Sequence, residues 1–131
     1  MKLNRITILI IPLLILNIGC SQKPANTISP EQLKQKLDNH ENMLLIDVRT
    51  QAEYTGELGH IDGTVLLPVQ DISSWIKDYQ NDKNKEIIMI CRSGNRSGRA
   101  TQYFLEHGFK KVYNMAGGMI AWNKAGYPVV K

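Results

Sequence analysis

The sequence predicts an α/β fold in which a mostly parallel sheet carries helices on both faces. Three observations lead there. MLLID (43–47), TVLLPV (64–69), EIIMIC (86–91) and KVYNM (111–115) are short, largely apolar runs, the pattern of strands covered on both sides. Segments with apolar residues at helical spacing lie between several of them, so strands and helices alternate as in βαβ units. At 131 residues the chain has room for one domain.

The first residues stand apart from that pattern. Met1 to Arg5 carries Lys2 and Arg5 with no acid, and Ile6 to Ile18 is apolar except at Thr7, Pro12 and Asn17. This charge-then-hydrophobic layout is that of an export signal, and it is short of the ~20 apolar residues that cross a bilayer. Residues 1–19 are therefore expected to be a signal peptide. NIGCSQ, with Gly19 before Cys20, resembles the lipobox of bacterial lipoproteins, although Asn17 stands where that pattern has an aliphatic residue. The resemblance implies acylation of Cys20 and a protein held on the membrane of a bacterial cell envelope, facing the periplasm where there is one. A plain secretory signal and a retained anchor are the other readings. Residues 20–26 then form a polar tether reaching roughly 25 Å at most, and the folded domain is expected over 27–131.

Charge excludes one class of partner. Without Lys2 and Arg5 the chain keeps 14 basic against 12 acidic side chains, a balance of +2, which is no nucleic-acid signature. His40, His60 and His107 lack ligand spacing and have no acidic cluster beside them, so neither a metal nor another cofactor is expected. With Cys20 lipidated, Cys91 is the one remaining thiol, which leaves no disulfide framework and no CxxC pair.

Along the domain, Ser29-Pro30-Glu31-Gln32 opens a helix: Ser29 caps it, Pro30 suits its first position and Gln32 completes a capping box. Leu33 and Leu37 share a face of that helix. VRTQAEYTGELGH (48–60) follows the first apolar run as an irregular segment with one helical turn. TVLLPV is stopped by Pro68, and DISSWIKDY (71–79) places Ile72, Trp75, Ile76 and Tyr79 at helical spacing behind an Asp71 cap. After EIIMIC, a helix beginning near Arg96 or Ser97 carries Ala100, Tyr103, Phe104 and His107, and Gly108 sits where a left-handed residue ends it. GGMIAWNKAGYP (117–128) reads as a turn, a short helix and a terminating Pro128. Trp75 and Trp122 are expected in the core.

The chemistry concentrates in CRSGNRSGR, residues 91–99. Cys91 falls at the carboxyl end of a predicted parallel strand, where open α/β sheets bind ligands. The following run can turn tightly and present successive backbone N–H groups before a helix begins, with Arg92, Arg96 and Arg99 around it. Such a field favours thiolate over thiol, whereas a free thiol near pKa 8.5 is only ~3% ionised at neutral pH. Cys91 is the expected nucleophile.

Cys91-Arg92-Ser93-Gly94-Asn95-Arg96 resembles the six-residue active-site loop of the rhodanese sulfurtransferases. Leu45-Ile46-Asp47-Val48-Arg49 with Glu53-Tyr54, Gly59-His60-Ile61-Asp62-Gly63, and Gly117-Gly118 with Trp122 are similar to further landmarks of that family, in its order. The resemblance implies a five-stranded sheet, with an additional first strand near Thr27 and Ile28. It also implies transfer of sulfane sulfur from an anionic donor such as thiosulfate, through a Cys91 persulfide, to a thiol or cyanide. Arg92, Ser93, Gly94, Asn95 and Arg96 would bind the substrate, with Arg92 at the mouth of the loop. A small-molecule donor and a thiol acceptor are the implied partners, and a protein acceptor is left open.

Two alternatives remain at this point. Cysteine phosphatases and arsenate reductases use a Cys-x5-Arg loop, but here arginines stand five and eight positions after Cys91 and the sixth is Ser97. A carrier or sensor of persulfide would use the same cysteine with little turnover. Arg49 is expected to pair with Glu53 as scaffold, and Asp47 to end its strand by bonding nearby backbone. Glu53 also occupies a position where the resemblance implies a substrate-holding arginine in two-domain relatives, which points to weak thiosulfate binding.

Overall fold

The computed structural model describes residues 26–131. The expected signal peptide and Cys20 lie outside the described residues, as does most of the tether. Five strands form one sheet: β1 (Thr27–Ile28), β2 (Leu44–Asp47), β3 (Val65–Leu66), β4 (Glu86–Ile90) and β5 (Lys111–Met115). Their order is β1-β5-β4-β2-β3 and each pairing is parallel. The helices are α1 (Pro30–Asp38), α2 (Gln51–Tyr54), α3 (Ile72–Trp75), α4 (Asn95–Glu106) and α5 (Gly118–Lys124).

β4 shows why the apolar runs have no polar alternation. Ile87 and Met89 pack on one face with Trp75, Ile76, Ala100 and Phe104, while Ile88 and Ile90 pack on the other with Leu33, Met119 and Trp122. Glu86 at the start of β4 is partly exposed, whereas all four of these side chains are fully buried. Each contributes about 1.5–3 kcal/mol of transfer free energy. α3 and α4 thus cover one face, and α1 and α5 the other.

Local signals account for the helix starts. Ser29 Oγ accepts from the Gln32 N–H at 3.1 Å and Gln32 Oε1 accepts from the Ser29 N–H at 2.9 Å, the expected capping box. Two expectations need correction. The second apolar run is a strand only over Val65–Leu66, at the sheet edge; beyond it the Leu67 and Val69 N–H groups still donate to the Asp47 and Val48 carbonyls at 2.9 and 3.1 Å, and Pro68 between them turns its missing N–H to the open edge before the 3₁₀ residues begin. The segment 71–79 is not one helix: three 3₁₀ residues, Val69–Asp71, precede α3, and Ile76–Asp82 winds on as 3₁₀. Asp71 makes no side-chain capping bond there. Trp75 nevertheless reaches the core as expected.

The topology opens a crevice. β2 and β4 are neighbours, yet β2 leads outward through α2 to β3 while β4 leads the opposite way through α4 to β5. The connections diverge above their carboxyl ends, the arrangement that places ligand sites in open α/β sheets.

Candidate active site

Cys91 directly follows β4 and is 1% exposed. The next residues turn back on it. Gly94 adopts φ +97°, a left-handed conformation, and its N–H donates to Cys91 Sγ at 3.1 Å. α4 starts one residue later, at Asn95 rather than Arg96 or Ser97, and brings the Ser97 hydroxyl to 3.1 Å from Sγ.

The electrostatics differ from those expected. Burial pushes the Cys91 thiol up, but the Ser97 hydroxyl and the backbone N–H groups of Ser97, Gly94 and Ser93 outweigh it and leave the thiol below its ordinary value. Hydrogen bonds, more than a ring of free arginines, favour the thiolate. Arg96 is committed elsewhere: its Nη1 and Nη2 donate to Glu53 Oε2 and Oε1 at 2.8 and 2.6 Å. The fork holds the Glu53 carboxyl at about 2, helped by the Thr50 N–H and hydroxyl and opposed by burial. Arg96 is raised in return.

This corrects the expected Arg49–Glu53 pair. Arg49, 1% exposed, folds back on Asp47, with Nε 2.9 Å from Oδ1 and Nη2 2.7 Å from Oδ2. Its remaining donors reach the backbone carbonyls of Gly59 at 2.7 Å and Glu53 at 3.2 Å. A planar guanidinium satisfies both carboxylate oxygens and two carbonyls at once, which a lysine could not. The pair ties the end of β2 to α2, and Asp47 also accepts from the Arg49 N–H at 3.1 Å. Glu53 is thereby left facing α4.

α5 closes the loop from the other side. The N–H groups of Met119 and Ile120 donate to the carbonyls of Cys91 and Arg92 at 2.8 and 3.0 Å. Gly118 is required for that approach, since a Cβ there would lie 2.5 Å from the Arg92 and Cys91 carbonyl oxygens. His60, by contrast, is structural: its ring stacks on Tyr54 at 3.7 Å and its backbone pairs with Val130.

Beside the loop lies an open cleft of about 510 Å³, lined by Arg92, Glu53, Glu57, Leu58 and Ile120 among others. Arg92, Ser93 and Asn95 are exposed around the loop. Arg92 thus lines this cleft together with two acids, Glu53 and Glu57.

Two participants escaped sequence reasoning. Ser97 was visible as the sixth residue after the cysteine, one turn into α4, but its role as a donor to sulfur was not. Asn114 of β5 donates from Nδ2 to Gly94 O at 3.0 Å and accepts at Oδ1 from Ser97 Oγ at 2.6 Å. A polar residue between Tyr113 and Met115 in the KVYNM strand was its only signal.

Comparison with known proteins agrees with this geometry. The profile of the rhodanese-like domain matches residues 29–125. A sulfurtransferase of Allochromatium vinosum is 38% identical over 105 residues, covering 80% of this chain and 94% of that protein. The putative sulfur carrier protein YrkF of Bacillus subtilis is 40% identical over 95 residues, 72% of this chain but only 49% of its own length. The crystal structure of a rhodanese-related protein from Thermoplasma volcanium superposes with a TM-score of 0.70 at 26% identity, over 80% of this chain and 97% of that one. With its landmarks on one parallel sheet and a hydrogen-bonded cysteine after the central strand, this chain belongs to the rhodanese-like domain family.

Proposed function

We propose that the protein is a sulfurtransferase that carries sulfane sulfur on Cys91. The Cys91 thiolate attacks the outer sulfur of thiosulfate; a Cys91–sulfur bond forms, the donor's S–S bond breaks, and sulfite leaves with its electron pair. An acceptor thiolate or cyanide then attacks the outer sulfur of the persulfide. The Cys91–sulfur bond breaks, Sγ leaves as thiolate, and the product is a persulfide or thiocyanate. Backbone N–H groups of the loop stabilise the charge at each stage.

The observation that carries this reading is a thiol held by donors aimed at sulfur while Arg96 is turned away to Glu53. A phosphatase or arsenate reductase needs a guanidinium free to clamp a tetrahedral oxyanion, so the arrangement favours sulfur over phosphorus or arsenic chemistry. The test is thiocyanate release from thiosulfate and cyanide: turnover is expected, with complete loss in Cys91→Ser. Hydrolysis of phosphate esters or reduction of arsenate without thiocyanate release would overturn it.

The second reading, a persulfide carrier serving one partner, is favoured by the same Glu53–Arg96 pair, which withdraws positive charge from a small anionic donor. Slow turnover of thiosulfate together with rapid exchange of sulfur with a partner protein would select it. In either case, the proposed lipid on Cys20 would keep the reaction at the membrane surface of the cell envelope.

A further inference from the structure

Ser97 is in contact with two acceptors but has one proton to give. Its Oγ lies 3.1 Å from Cys91 Sγ and 2.6 Å from Asn114 Oδ1, and a hydroxyl donates once. The orientation of the Asn114 amide is fixed by its other end. Nδ2 donates to Gly94 O at 3.0 Å, and turning the amide over would set its oxygen against that carbonyl. Oδ1 must therefore face Ser97, as an acceptor only.

The surroundings hold this triangle in place. Gly98 donates to the same Gly94 carbonyl at 3.0 Å, and Thr101 Oγ1 donates to Ser97 O at 2.8 Å, so the first turn of α4 cannot swing away. A Cβ at residue 98 would lie 3.2 Å from Asn114 Nδ2, which is how a glycine admits the amide so close to the helix. Ser97 is fully buried, so water does not compete for its proton.

We propose that Asn114 is a positioning residue for Cys91: it holds the Ser97 proton while the sulfur is neutral and yields it when the sulfur becomes charged. In the resting thiol, S–H donates to Ser97 Oγ and Ser97 donates to Asn114 Oδ1. In the thiolate, the hydroxyl rotates and donates to Sγ. Nothing is transferred between heavy atoms; one hydrogen changes acceptor. The consequence for sulfur delivery rests on the sulfurtransferase reading. In the persulfide, Sγ is neutral and the proton returns to Asn114. As the acceptor takes the outer sulfur and Sγ leaves as thiolate, the proton swings back and stabilises the leaving group.

The charged groups near this triangle come from α4 itself and from the end of β2 and the segment after it. Arg96 of α4 interacts with Cys91, Glu53 and Asp47 together, and Glu53 and the Asp47–Arg49 pair are mutually neutralised. Their contributions are common to every Asn114 or Ser97 variant.

The test is the rate of iodoacetamide alkylation at Cys91 against pH in the full chain. Peptide mass spectrometry separates the Cys91 adduct from any at Cys20, and no turnover is needed, so the result is independent of the reaction catalysed. Near pH 5, Ser97→Ala should react about tenfold more slowly, the loss of one hydrogen bond to a charged group. Asn114→Ala should react about two- to threefold faster, because the competing acceptor is gone. Asn114→Asp should react about tenfold more slowly, because a carboxylate retains the proton. In a Ser97→Ala background, Asn114→Ala should change nothing. If Asn114 merely props Gly94, Ala and Asp at 114 will both slow the reaction, and will do so without Ser97; that result overturns the proposal. Should Asn114→Ala fail to fold, Asn114→Asp decides alone: its slowing must be larger with Ser97 present than absent, and equal slowing overturns the proposal.

Discussion

Glu53 governs how much positive charge the cleft offers. It neutralises Arg96 through two short hydrogen bonds, leaving Arg92 as the exposed cation lining the cleft, with Glu57 also in its wall. Glu53→Gln keeps the oxygen that caps α2 but releases the Arg96 charge. Recovering about 1 kcal/mol of attraction for an anion in this open setting should lower the thiosulfate KM about fivefold, with kcat little changed. An unchanged KM in a steady-state sulfite-release assay would show that Arg96 does not face the donor. The same carboxyl has a pH signature. Its value in the fold, about 2, lies below its ordinary 4.5, so its stabilising contribution is complete above pH 4.5 and disappears as pH falls through 2. Urea midpoints measured from pH 5 to pH 2 should fall more steeply for the native protein than for Glu53→Gln; parallel curves would contradict this.

At the scale of elements, the loop is a joint between β4, α4 and α5, and Gly118 is where they come closest. Gly118→Ala must find room against backbone oxygens at 2.5 Å while keeping φ +58°. A loss of about 1–3 kcal/mol in thermal or urea unfolding is expected, with slower Cys91 alkylation as the loop shifts. A variant as stable and reactive as the native chain would mean that α5 does not clamp the loop. The elements legible in the sequence are those built from local signals: the capping box at Ser29, the apolar β2 and β4, Gly108 at φ +87° after α4. β3 was legible as a strand but not in its extent, and the 3₁₀ turns around α3 were not legible, because an edge position and packing on Trp75 decided them. The site was legible as far as its own loop. Glu53 meets Arg96 from 43 residues away and Asn114 meets Ser97 from 17, and no local spacing records either contact. Arg49 chose Asp47, two residues back, over Glu53 because full burial demands a charge partner for Asp47 within the core.

For the whole molecule, the fold sets the Cys91 thiol, the one free thiol among the described residues, at the carboxyl edge of a sheet covered on both faces, and the proposed acylation at Cys20 would confine it to a membrane. Cys20→Ser should move the protein from the membrane fraction to the soluble envelope fraction with thiosulfate turnover retained. Persistence in the membrane fraction would point to a retained anchor instead. If Cys91 carries a sulfur atom, intact mass spectrometry of the purified protein before thiosulfate, after it, and after subsequent cyanide will register it. The expected result is a gain of one sulfur atom, absent in Cys91→Ser and removed by cyanide as thiocyanate. A folded protein with a free Cys91 thiol that gains no sulfur from thiosulfate or from a persulfide donor would contradict it.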